Sequence, residues 1–228
     1  MQAKNDCMEE NRRSEERPIE HFAVSSGPDK EVKQIIVVTT PDWKSRQARL
    51  QAFEKAGGKW LSAFSPMPAV VGKNGFALLE DKKEGDYKSP AGIYKIGTAF
   101  GTAVKPGGVT LPYRPVTRQD YWVDDKTSPD YNTWVHYGGD PKKRWKSFER
   151  LAIPLYKYAL VIRYNDNPVV PGKGSAIFMH IWRSPQSYTA GCVALSESNL
   201  LAVLRWLDPK KEPVIVQGPA AYLASYIK

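Results

Sequence analysis

Ala176-Ile177-Phe178-Met179-His180-Ile181 is an apolar run with a histidine near its end, and Thr189-Ala190-Gly191-Cys192-Val193-Ala194-Leu195 follows it. The first stretch has the length and apolarity of a buried strand. The second sets a glycine directly before a cysteine, at the head of another apolar run. Cys192 lies twelve residues after His180, enough chain to leave a strand and return the thiol beside the imidazole. Cysteine reacts as thiolate, and a neighbouring imidazole can take its proton and remain beside the sulfur as imidazolium. Gly191 permits the sharp turn that aims backbone N–H groups at the oxygen of a tetrahedral intermediate. Each residue alone has a plainer reading: a lone cysteine is commonly a small buried hydrophobe, and a histidine at a strand end is commonly a hydrogen-bonded structural residue.

Outward from this core, Leu160-Val161-Ile162 within 158–164 predicts a central strand, and 169–174 reads as a turn. Ser196 is placed to cap a helix with Leu200, Leu201, Leu204 and Leu207 on one stripe, ended by Asp208-Pro209. Val214-Ile215-Val216 predicts the last strand. Upstream, Ile35-Ile36-Val37-Val38 predicts the first buried one. Ala48, Leu50 and Ala52 alternate with polar residues ahead of Gly57-Gly58, predicting two strands joined by a tight turn, with a helix over 46–55 as the competing reading. Lys73-Asn74-Gly75 between Ala69-Val70-Val71 and Phe76-Ala77-Leu78-Leu79 predicts a hairpin. Ser89-Pro90-Ala91-Gly92 predicts a turn before a short strand. Residues 100–150, rich in Gly, Pro and Trp, predict an elaborated loop region near the working face. The class is mainly β, with one helix and long loops.

The formal charge of +9 suits a polyanionic partner. The basic residues, however, sit in scattered pairs such as Lys142-Lys143, without nucleic-acid-binding spacing, so nucleic acid is not expected. No run reaches the length of a membrane span, and the chain opens without a signal-peptide run. Residues 1–33 are polar and charged and read as a flexible leader, with the folded domain over 34–228. Cys7 falls in that leader, so a disulfide to Cys192 would tie the leader to the core. Three histidines at 21, 136 and 180 and two cysteines give no zinc spacing. No metal or organic cofactor is expected, and His136 reads as structural.

His180-Ile181-Trp182-Arg183 and Thr189-Ala190-Gly191-Cys192-Val193-Ala194-Leu195 resemble the active-site signature of the YkuD-type L,D-transpeptidases. Ser89-Pro90-Ala91-Gly92-Ile93-Tyr94 is similar to the family's Pro-x-Gly-x-aromatic strand, and Val71-Gly72-Lys73-Asn74-Gly75 to its hairpin. The resemblance spans about 34–217. It implies a β-sandwich or barrel-like catalytic domain acting on peptidoglycan stem peptides, periplasmic or cell-wall associated; a monomer is expected. It further implies that Cys192 is the nucleophile, His180 its base oriented by the Ile181 carbonyl, and the Gly191–Cys192 backbone the oxyanion hole. Trp182, Arg183 and Thr189 would contact substrate, with Tyr188 flanking. The commonest family pattern has histidine where this chain has Ala190 and arginine where it has Ala194, and Arg183 would supply the missing charge. The implied reaction is thioester-mediated cross-linking of third-position residues. An L,D-carboxypeptidase using water, and a non-catalytic wall-binding module of the same fold, are the alternatives.

Overall fold

A computed structural model describes residues 31–224. In chain order come β1 (Gln34–Thr40), β2 (Gln47–Ala56), β3 (Lys59–Ser62) and β4 (Met67–Val70). β5 (Phe76–Ala77) and β6 (Ser89–Pro90) form a short parallel pair, and β7 (Gly92–Gly101) carries β8 (Tyr113–Pro115) alongside it. β9 (Asp120–Trp122), β10 (Trp134–His136) and β11 (Glu149–Arg150) form a separate three-stranded sheet. β12 (Ala159–Ile162), β13 (Phe178–Ile181), β14 (Val193–Leu195) and β15 (Val214–Pro219) complete the main sheet. Helix α1 (Glu197–Trp206) precedes β15, and α2 (Ala220–Leu223) follows it.

The main sheet closes on itself. Hydrogen bonding runs β1-β15-β7-β12-β13-β14-β4-β2, and β2 pairs again with β1. A ring of that size is just wide enough for side chains to fill. Ile36, Leu160, Met179, Val193, Leu195 and Ile215 fill it, all fully buried, together with Leu200, Val203 and Leu204 of α1. Burying such a side chain contributes about 1.5–3 kcal/mol. The other face of β1 and β15 packs Ile35, Val37, Val214 and Val216 against Phe53 and Trp60, so these strands are apolar on both sides and read as continuous runs.

Period-2 alternation along β13 and β14 positions the candidate chemistry. Met179, Val193 and Leu195 point into the main core, whereas Phe178 and Cys192 belong to a second cluster with Phe100, Leu151 and Tyr156. β13 and β14 run parallel, with Met179 beside Val193 and His180 beside Ala194. His180 and Cys192 therefore face the same side of the sheet, two residues apart in register.

Residues 46–55 form a strand, not a helix, and Gly57 and Gly58, with φ of +56° and +79°, make the tight turn into β3. The 69–79 hairpin is corrected: Gly75 N–H donates to the Gly72 carbonyl across the expected turn, but β4 pairs with β2 and β14 while β5 pairs with β6. The barrel takes β4, and a separate two-stranded sheet takes β5. On α1, Ser196 Oγ accepts from Asn199 N–H as expected, but Val203 rather than Leu201 joins Leu200 and Leu204 on the buried stripe. Residues 100–150 hold β8 to β11. Most of the leader, residues 1–30 with Cys7, lies outside the described residues; Val32 is already buried against Ile35 and Trp60.

Candidate active site

The 189–192 turn is braced from two directions. Thr189 N–H donates to the Val71 carbonyl, and Lys73 N–H donates to the Thr189 carbonyl. Ser89 Oγ, fully buried, donates to the Gly191 carbonyl at 2.7 Å and accepts from Gly72 N–H at 3.0 Å. The 71–75 and 89–92 segments thus form the cradle of the cysteine turn. Gly72 is required by close approach, since a Cβ there would lie 2.5 Å from the Tyr87 carbonyl oxygen. Gly191 has φ of +157°, and its Cβ would press 3.1 Å from the Lys88 carbonyl oxygen. Thr189 spends its hydroxyl inside the turn: it donates to the Cys192 carbonyl at 2.7 Å and accepts from Gly191 N–H at 3.1 Å.

Cys192 is a buried free thiol. Its Sγ accepts from Phe178 N–H at 3.4 Å and donates to the Ala176 carbonyl at 3.3 Å. His180, also buried, hydrogen bonds through Nδ1 to the Ile181 carbonyl at 2.8 Å, as the resemblance implied. That acceptor fixes the tautomer with the proton on Nδ1 and leaves Nε2 as the basic nitrogen. Among the described residues no hydrogen bond joins sulfur to imidazole. Burial holds the imidazole down to about 4, against the pull of the Ile181 carbonyl and with the Arg183 charge adding to the lowering. Burial likewise pushes the thiol up, with Glu149 reinforcing and Phe178 N–H and Lys82 opposing. Burial thus favours the uncharged form of both groups.

Both groups line one cavity of about 400 Å³, which Trp182, Arg183, Tyr188 and Ala194 also border. Arg183 is exposed at the rim and Trp182 half-buried. Tyr188 is 48% exposed and lies under Arg46 and Lys73, 5.8 and 5.6 Å from its ring centre. A larger groove, about 660 Å³, is lined by Lys95, Trp134, Arg163 and Pro213 and holds neither Cys192 nor His180. Reactive chemistry selects the smaller cavity. His136 lies outside it, 3.2 Å from Asp120.

Sequence reasoning missed the cavity's charged wall. Lys82, Glu84, Asp124 and Glu149 line it. Lys82 Nζ is paired with Asp86 at 2.8 Å, and Glu84 accepts from Tyr131 and Ser175. Glu149 accepts from the Tyr156 hydroxyl. Burial raises Glu149 to about 7, the Tyr156 hydrogen bond opposing while Asp124 and Glu84 add to the rise. Nothing local in the sequence marked these residues, which come from three separate segments.

A crystal structure of a mutant form of the helical cell shape determining protein Pgp2 from Campylobacter jejuni is similar, with 19% identity and a TM-score of 0.40. The match covers 84% of this chain and 51% of that one, so this chain spans about half its length. No curated protein sequence matches. The family model described as the L,D-transpeptidase catalytic domain, YkuD, matches residues 33–216. With most of its length so matched and its sheet closed as a barrel, the chain belongs to the YkuD family of L,D-transpeptidase catalytic domains.

Proposed function

We propose that the protein is a peptidoglycan L,D-transpeptidase in which Cys192 is the nucleophile and His180 its base. The observation that carries this reading is the placement of thiol and imidazole on one face of adjacent parallel strands, in one cavity, with the cysteine turn braced by buried hydrogen bonds. A substrate of this class puts the protein in the periplasm or at the cell wall.

The donor is a tetrapeptide stem. Rotation about the Cys192 Cα–Cβ bond takes Sγ from its backbone partners toward Nε2, which accepts the thiol proton as sulfur bonds to the carbonyl carbon of the third residue. The carbonyl electron pair moves onto oxygen, and the Cys192 N–H, in the turn whose Gly191 N–H is held by Thr189, stabilises it. Collapse of this intermediate breaks the peptide bond. Nε2 returns its proton to the departing D-alanine amine, leaving a thioester on Cys192. A side-chain amine of a second stem attacks the thioester, His180 takes that amine's proton, and sulfur leaves to regenerate the thiol. Excluding water from the buried pair strengthens each of these charge interactions.

An uncharged resting pair fits this sequence, because proton transfer and carbon–sulfur bond formation occur together and no free thiolate has to be buried. Arg183, on the rim beyond His180, is suited to hold the terminal carboxylate of the donor in a bidentate grip.

Two incubations test the reading. A β-lactam-type acylating agent should add one covalent adduct to the intact protein and none to Cys192→Ala. Disaccharide tetrapeptide should yield cross-linked dimer. Release of tripeptide alone would assign water as the acceptor, and no adduct at all would refute the nucleophile.

A further inference from the structure

We propose that Glu149 and Tyr156 are positioning residues for the base: Glu149 holds the Tyr156 hydroxyl, and Tyr156 holds the His180 ring where it can meet the thiol. This rests on the reading of His180 and Cys192 as base and nucleophile.

The argument begins with how the imidazole is held. Among the described residues its one polar anchor is the Ile181 carbonyl. A single hydrogen bond at Nδ1 settles the tautomer but leaves the ring able to pivot about that bond, and Nε2 sweeps widely for a small rotation. Packing must fix the plane. Tyr156 supplies that contact: its ring centre lies 5.2 Å from that of His180, at 71° to it. Such edge-to-face pairs stabilise beyond their buried area, enough to favour one ring orientation.

Tyr156 is itself fixed at both ends. Its ring packs edgewise on Phe100 and Phe178, at 5.7 and 5.6 Å. Its hydroxyl, in a side chain only 3% exposed, donates to Glu149. Glu149 belongs to β11, paired with Trp122 of β9, so the acceptor comes from the three-stranded sheet and not from the barrel. The 3-10 turn Pro154–Tyr156 carries the tyrosine between the two. A link therefore runs from the small sheet through Glu149 and Tyr156 to the imidazole, and its last three members line the catalytic cavity together with Cys192.

Packing alone does not account for the pair. Phenylalanine at 156 would fill the same aromatic cluster with no polar group to satisfy. Instead the chain keeps a buried phenol and pairs it with a carboxyl drawn into the same cavity as Glu84 and Asp124. Desolvating a carboxyl beside two others costs stability. A directional tether gives that cost a function, because the phenol–carboxyl bond sets where the tyrosine ring can sit. The other charged groups facing this region are Lys82 near the thiol and Arg183 near the imidazole. Neither touches the Tyr156 hydroxyl in the structure.

The test is iodoacetamide alkylation of Cys192 across pH, read by peptide mass. It is run on the full chain and on H180A, Y156F, E149A, E149Q and the Y156F/E149A double variant, with a melting curve for each. Y156F and E149A should move the pH–rate profile toward that of H180A and slow alkylation at pH 7 by about ten- to a hundredfold. E149Q, whose amide oxygen still accepts from the phenol, should keep most of the wild-type rate. The double variant should be no slower than the slower single one, because both changes cut the same link. A Y156F profile matching wild type, or an E149Q rate as low as E149A, would overturn the tether. If Y156F fails to fold, the E149Q and E149A comparison decides alone. An H180A profile identical to wild type would overturn the base assignment and the tether with it. Loss of tetrapeptide turnover with the expected alkylation pattern would leave the tether standing and refute only the substrate reading.

Discussion

Replacing Ser89 with alanine removes one oxygen from the interior and breaks the brace under the Cys192 turn. Ser89 Oγ serves two backbone groups closely, donating to the Gly191 carbonyl and accepting from Gly72 N–H, with the Cys192 carbonyl a longer second acceptor at 3.3 Å, and the side chain is wholly buried. Alanine leaves both groups without that partner. An unsatisfied buried donor or acceptor costs about 1–3 kcal/mol, so two of them, partly relaxed, should cost about 3 kcal/mol. For a chain of this size that lowers Tm by on the order of 6–12 °C. The activity loss should exceed what unfolding explains. Once the Gly191 carbonyl is released the peptide units around it can rotate, and losing one oxyanion donor outright costs about 2.7–4 kcal/mol. Partial misorientation should therefore slow acylation by about tenfold or more at a temperature where the variant is fully folded. The assay pairs calorimetry with intact-mass kinetics of β-lactam acylation, and exposed Ser62→Ala, whose hydroxyl bonds only to the Phe64 carbonyl, is the control. An S89A protein that melts within about 2 °C of wild type and acylates at the same rate would refute the brace.

Other perturbations follow from the same geometry. Gly72→Ala forces a Cβ to 2.5 Å from the Tyr87 backbone oxygen and should destabilise by about 1–3 kcal/mol, measured by urea unfolding; a neutral result would show that the 87–89 backbone yields freely. Arg183→Ala should impair tetrapeptide turnover far more than iodoacetamide alkylation of Cys192, and Arg183→Lys should recover only part of the loss; wild-type turnover in both would make Arg183 a surface cation. The stability profile against pH holds two opposing contributions. His180, lowered to about 4, stays neutral in the folded chain, so its share of stability is lost as pH falls from about 6.5 toward 4. Glu149, raised to about 7, keeps its proton when folded, so its share is lost as pH rises from about 4.5 toward 7. E149Q should remove the second, leaving a Tm that climbs more steeply between pH 4.5 and 6.5 than in wild type; an unchanged slope would contradict it.

Segments whose partners are local or whose apolarity is complete were legible in the sequence. Ile35–Val38, the Gly57-Gly58 turn, the Ser196 cap and Val214–Val216 all lie where the residue pattern puts them. The turn at Asn74-Gly75 was equally legible, yet the flanking strands pair elsewhere: β4 is drawn into the ring by β2 and β14, and β5 pairs with β6 outside it, partners that no local pattern names. β9 to β11 left no periodic trace, since Asp120, held by Thr117 and Trp134, interrupts the apolar alternation with a buried polar hub. At the candidate site, the spacing of His180 and Cys192 allowed a thiol–imidazole pair, and the resemblance of the residues around them to a family signature singled them out. Glu149 and Tyr156 did not stand out, because each is ordinary in its own neighbourhood and acquires a partner only when the small sheet docks on the barrel.

The parallel pairing of β13 and β14 has a consequence for how this chain can change. Antiparallel neighbours can be joined by two residues, but parallel ones need a crossover of about a dozen. Bringing cysteine and histidine side by side this way obliges the chain to spend residues 182–192 on a strap, and the strap carries Trp182, Arg183, Ser187 and Tyr188 across the mouth of the cavity. Residues 182–188 of the strap precede the braced turn and contribute no strand to the ring. Length and composition there can drift, or be exchanged by design, while the reacting pair stays fixed in the wall. Reagent and selectivity filter are thus encoded in one continuous stretch of about twenty residues, yet answer to different constraints: the ends to the barrel, the middle to whatever arrives at its rim.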